Sequence, residues 1–187
     1  MPAVKSAFKP AVKSAAVKLK ITAVLVLLLF ALSGCVLTMP KPFLKERNPP
    51  GGAMPDLSGR WKDEEGQPLT VEKTGVSNTF SVYSQDKDQR LKVTMERLDD
   101  KRFILQFQPP DEQGGGVFLT VGEVDPRKVV IYTFPEGLPD LRSKAKANGV
   151  VINEFGLITK YERAEGIIQF FREMADAPGH VDLVLTK

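Results

Sequence analysis

The side chains best suited to covalent or acid–base chemistry are few in this chain: a single cysteine, Cys35, and a single histidine, His180, far apart in sequence. Nucleophilic catalysis by serine or cysteine needs a positioned base beside the nucleophile. His180 stands in Ala177-Pro178-Gly179-His180-Val181, and is expected to be a solvent-exposed turn residue leading into the last strand. One histidine and one cysteine also cannot build the nitrogen and sulfur shells of the usual metal centres, so no metal is expected. Acidic clusters at Asp63-Glu64-Glu65 and Asp99-Asp100 fall where strands end, as solvated turns do. Gly114-Gly115-Gly116 lacks the lysine and hydroxyl of a phosphate-binding loop and leads into a strand, so it reads as a flexible loop. No catalytic residue, no cofactor and no enzymatic turnover are expected.

Cys35 has a context of its own. Residues 21–31, ITAVLVLLLFA, are eleven uncharged and mostly apolar positions. A helix needs about 20 to cross a bilayer, whereas about 7 to 15 suit the apolar core of a secretory signal. The preceding segment supplies Lys5, Lys9, Lys13, Lys18 and Lys20 with no acid, and repeats PAVKSA at 2–7 and 10–15. Positive charge holds that end in the cytoplasm.

Leu32-Ser33-Gly34-Cys35 then resembles the lipobox of bacterial lipoproteins. The resemblance covers residues 1–36. It implies diacylglycerol, palmitate-type acylation on the Cys35 thiol, cleavage between Gly34 and Cys35, and acylation of the new amino group. Val36 in place of aspartate implies, by the enterobacterial rule, the outer membrane, with the protein facing the periplasm. One acyl chain gives marginal membrane binding and two or three give a firm hold.

Losing the signal takes the 26 basic residues down by five to 21, against 23 acidic ones, a formal balance of −2. The basic excess of the whole chain therefore belongs to the leader, and nucleic-acid binding is not expected. With the thiol acylated no disulfide can form, so the fold must rest on its core.

Three regions follow: a lipoprotein signal at 1–34, a lipidated Pro/Gly-rich tether at 35–55 and one β-rich globular domain at 56–187. Residues 36–55 carry five prolines and two adjacent glycines, which favour an extended chain. On this reading a chain starting near Met54 folds without its lipid. The domain alternates with period two in TFSVY (79–83), LKVTMERL (91–98), RFILQFQ (102–108), VFLTVGEV (117–124) and KVVIYTF (128–134), with weaker strands at RWKDE and LTVEK. Turn residues separate them, and 109–116 reads as a long hairpin loop. Helices are expected at 138–149 and 159–176, the second with Ile167, Ile168, Phe171 and Met174 on one stripe, followed by a closing strand at 180–187 with Val181, Leu183 and Leu185 inward. The fold class is a β-rich α+β: an antiparallel meander forming a curved sheet or partial barrel, with two helices in the C-terminal third.

Leu57-Ser58-Gly59-Arg60-Trp61 resembles the Gly-x-Trp opening of lipocalins and related calycin barrels, which implies a Trp61 buried at the barrel's closed end. The later Thr-Asp-Tyr motif and terminal-strand arginine of that family have no counterpart. Two functional readings stay open. In one, a membrane-anchored domain binds a small apolar or amphipathic ligand; in the other, it docks another envelope protein with no small-molecule ligand.

Overall fold

The structure, a computed structural model, describes residues 37–48, 54–84, 90–109, 116–133, 141–176 and 180–187, without the side chains of Thr133, His180 and Asp182. The chain divides into two units, Met1–Ser33 and Gly34–Lys187, and every described residue belongs to the second. The signal segment and the Gly34–Cys35 junction lie outside the described residues.

Among the described residues the strands are β1 (Leu37–Met39), β2 (Gly59–Lys62), β3 (Pro68–Lys73), β4 (Thr79–Tyr83), β5 (Leu91–Arg97), β6 (Arg102–Gln108), β7 (Val117–Asp125), β8 (Lys128–Thr133), β9 (Val150–Ile152), β10 (Ile158–Tyr161) and β11 (His180–Thr186). The helices are α1 (Leu141–Ala147) and α2 (Ala164–Ala175). The expected meander is present and it closes. Strands β2 to β8 and β11 form a ring in which every neighbour is antiparallel. Closure is thin at β11–β2, where Thr186 opposite Lys62 is the paired position.

Alternation sorts the side chains into two cores. Trp61, Val71, Phe80, Val93, Met95, Phe103, Leu105, Val124, Val129 and Ile131 fill the inside of the barrel together with Met54 and Leu57. Trp61 is 1% exposed, and its indole Nε1–H donates to Leu57 O at 2.7 Å. The opposite faces of β6 and β7, carrying Ile104, Leu119 and Val121, form a second core outside the ring with β1, Ala145 of α1, Val150, Ile158 and Ile167, Phe170, Phe171 and Met174 of α2. A strand that buries both faces has no polar side to show, and these two strands therefore require a covering layer.

The cover differs from expectation in three places. Helix α2 begins at Ala164, and Ile158–Tyr161 instead pairs with β9 as a hairpin. Its buried stripe is Ile167, Phe170, Phe171 and Met174, the i, i+3, i+4, i+7 set, while Ile168 sits at the edge and is only partly buried. On β11, Leu183 and Leu185 pack on the barrel core, but Val181 is 54% exposed because the register shifts between Val181 and Leu183.

The largest correction concerns the segment read as a tether. Leu37–Met39 is a strand of the sheet, paired with β7 through Leu37–Leu119, Thr38–Phe118 and Met39–Val117. It occupies the stretch of the β7 edge beside the part taken by β8 at Val121–Asp125. Leu37, Met39 and Leu44 are buried in the outer core and Met54 in the inner one. Prolines and glycines mask this, because the three-residue strand lies wholly ahead of Pro40.

Residues 40–48 continue as a strap held by two buried amides. Gln106 Oε1 accepts from the backbone N–H groups of Phe43 and Leu44, both at 2.8 Å. Asn78 Oδ1 accepts from Arg47 N at 2.9 Å, and its Nδ2 donates to Lys45 O and Met95 O. Arg47 forks onto both carboxylate oxygens of Glu96, and Lys92 meets Glu46 at 2.8 Å. Gly116 fits the same purpose: a Cβ there would stand 2.5 Å from Met39 O, so only glycine lets the β1 end lie this close. Its part of the Gly114–Gly116 run is packed against the strap.

Burying Leu37, Met39 and Leu44 contributes together about 5–9 kcal/mol, comparable with the whole stability of a domain of this size. A chain beginning at Met54 is therefore expected to lose its cooperative urea transition, whereas one beginning at Val36 keeps it. Equal midpoints for the two would show the strap to be dispensable.

Candidate functional site

Inward-facing side chains are not equally sealed along the barrel. Phe80, Met95, Phe103 and Leu105 are at most 2% exposed and fill the middle. Leu69, Val82, Leu91 and Phe107 also face in, yet they are only partly buried. In register Leu91 opposes Val82, while Phe107 opposes the buried Val93 and Leu69 opposes the buried Trp61; Leu183 and Leu185 on β11 are likewise only partly buried. An eight-stranded barrel is just wide enough to be filled by its own side chains or to hold one small ligand. This one is filled through the middle by its own side chains.

On the outer face of β3 and β4 the polar side chains are internally paired. Tyr83 Oη donates to Glu72 Oε1 at 2.5 Å, Arg90 Nη1 meets Glu72 Oε2 at 3.0 Å, and the Arg90 guanidinium lies 4.8 Å from the Tyr83 ring centre. The hydrogen bond to Glu72, then burial, raises the Tyr83 phenol above its usual value of 10, so the hydroxyl stays protonated and acts as a donor.

The residues singled out by chemistry do not converge. His180 is the first residue of β11, opposite Thr133, and not part of a turn; its side chain lies outside the described residues. Cys35 and Gly34 lie outside them as well. Asp63 Oδ1 accepts from Glu65 N and Gln67 N and so builds its own turn. Asp99 does the same for Lys101 N and Arg102 N, and its other oxygen pairs with Arg102 Nε. Arg102 Nη1 then reaches Ala175 O and Asp176 Oδ1, both at 2.7 Å, which ties the end of α2 to the barrel. Both acidic clusters are thus turn-building. Among the described residues no group of three or more histidine, cysteine, aspartate or glutamate side chains is placed to hold a metal ion.

Gln106 and Asn78, which hold the strap, were not singled out by residue type. A signal for Gln106 exists in RFILQFQ, where Ile104 puts an apolar residue on the supposed solvent face and so announces a cover.

Compared with protein-family models, curated proteins and solved structures, the chain matches none. The closed antiparallel barrel with a buried Trp61 is compatible with the calycin resemblance of Leu57–Trp61.

At Asp99 burial, the largest influence, pushes the carboxyl upward, but the N–H groups of Lys101 and Arg102 and the Arg102 side chain together outweigh it and hold the group below the usual 3.8. A depressed folded value stabilises the protein above the unfolded value and is lost as pH falls through the folded one. Asp99→Asn keeps the turn acceptor and removes the charge. Wild type should therefore exceed this variant in stability, by about 1 kcal/mol or less after solvent screening, at pH above 3.8. Thermal melts across acid pH should show the gap closing below that point; a constant gap would contradict the assignment.

Proposed function

We propose that the chain is a lipid-anchored lipoprotein of the bacterial envelope that binds a small apolar or amphipathic ligand and performs no catalysis. Cleavage between Gly34 and Cys35 leaves an acylated Cys35 as the anchor, and Val36 directs the product to the outer membrane, facing the periplasm. What supports the anchor is the sequence before Leu37: a basic segment, an apolar run of signal length and a complete Leu-Ser-Gly-Cys. What supports the ligand is one observation, that Leu69, Val82, Leu91 and Phe107 face inward and are only partly buried around a sealed middle.

The middle of the barrel is filled, so the occupant is a short hydrocarbon segment and not a large enclosed molecule. Each methylene it buries contributes about 0.8 kcal/mol. The other reading, docking to an envelope protein with no small-molecule ligand, draws support from the same sealed middle, which leaves the interior already filled.

Mass spectrometry of protein extracted natively from membranes should report a chain beginning at Cys35 with acyl groups, and Cys35→Ser should abolish labelling by a fatty-acid analogue. Undiminished labelling of that variant would contradict the anchor. Titration of the purified protein with a fluorescent fatty acid should saturate, and Leu91→Glu should weaken it about tenfold, equivalent to about 1.4 kcal/mol. No binding by wild type, or equal binding by the variant, would leave the docking reading in its place.

A further inference from the structure

The end of β1 at which the chain enters the domain is marked by a second feature. Among the described residues the exposed large apolar side chains are Val151, Phe155, Tyr161 and Val181, at 49%, 81%, 40% and 54% exposure. Three of the four stand on the β9–β10 hairpin. That hairpin touches β1 directly: Thr38 N donates to Gly156 O at 3.2 Å, and Thr38 bridges Leu157 in parallel.

The turn presenting Phe155 is rigidly built. Asn153 Oδ1 accepts from Phe155 N and Leu157 N, both at 2.9 Å, and Asn153 N donates to Leu157 O at 3.0 Å. Gly156 supplies the left-handed conformation, with φ +75°. These bonds hold the backbone on either side of an aromatic ring that packs on almost nothing. Cys35 is three residues before Thr38, so at most about 10 Å of extended chain separates them.

We propose that the β9–β10 hairpin is a second membrane contact, with Phe155 and Val151 inserted at the headgroup and acyl boundary beside the anchor. The inference rests on the reading of Cys35 as the lipid attachment site. An acyl group on so short a leash brings a bilayer to this edge of the domain, and an aromatic side chain is suited to that boundary. Glu154 next to Phe155 and Lys160 opposite Val151 carry opposite charges, so the contact is apolar and needs no anionic lipid. Its consequence is orientation: a single acylated residue lets a domain swivel, and a second contact fixes which face looks away from the membrane.

The test uses the full acylated chain. Acylation consumes Cys35, so Phe155→Cys supplies a unique thiol for an environment-sensitive fluorophore. Lys73→Cys is the control, on β3, which lies across the eight-stranded ring from β7. Both labelled proteins are reconstituted into phosphatidylcholine vesicles after mass spectrometry has shown the acyl groups. The expected result is a blue-shifted emission at position 155, quenched by nitroxide-bearing lipid and severalfold less accessible to aqueous iodide than position 73. Equal behaviour of the two positions, or shielding of 155 only in native membranes and not in pure lipid, overturns the inference while leaving the anchor intact. Absence of acyl groups removes both.

Discussion

The buried side-chain amide of Gln106 is the interaction on which the layout of this domain depends. It sits on the outer face of β6, 1% exposed, between Ile104 and the strap, and its Oε1 accepts two backbone N–H groups. Buried polar groups without partners cost about 1–3 kcal/mol each. The strap therefore needs Gln106 to bury Leu44, and Gln106 needs the strap to be satisfied away from water. Asn78, fully buried, repeats the arrangement one turn further along the strap with Arg47 N and Lys45 O. An apolar layer supplies the driving force, and these two amides set its register.

That arrangement bears on how the domain would be held at a membrane. A flexible tether of some twenty residues would let the barrel explore a wide shell above the lipid. A strand beginning at Leu37 leaves one residue, Val36, between Cys35 and the sheet. The hairpin carrying Phe155 and the cover of α1 and α2 belong to the same outer layer as β1. The partly buried Leu69, Val82, Leu91 and Phe107, by contrast, pack on the inner core, which shares none of its buried residues with the outer one. The proposed membrane contact and the proposed ligand site thus draw on separate cores, and a change in one core need not disturb the packing of the other.

Much of the fold could be read from period-two patterning. TFSVY, LKVTMERL and VFLTVGEV became strands within a residue or two, and Trp61 lies in the core as the Gly-x-Trp opening suggested. Closure of the ring was not readable, because it rests on the distant pairing of β11 with β2 and β8, which no local pattern encodes. The strap is not legible because five prolines outweigh a three-residue strand in any composition-based view. Tertiary burial overrode local propensity at Leu37 and Met39, as it did at Ile158–Tyr161, where pairing with β9 displaced the first turn of an expected helix. Which inward side chains are sealed is not legible in sequence. Leu91 and Met95 have the same apolar character, and only their positions along the strand decide which one is sealed.

Native-state hydrogen exchange resolved to single amides tests the central claim, that the segment after Cys35 is part of the fold, most directly. The N–H groups of Phe43, Leu44 and Arg47 should exchange only through the same global opening as those of β6, with the same dependence on denaturant. Exchange of these three at the rate of an unstructured chain, while β6 stays protected, would show residues 40–48 to be a tether lying against the barrel and would contradict the account.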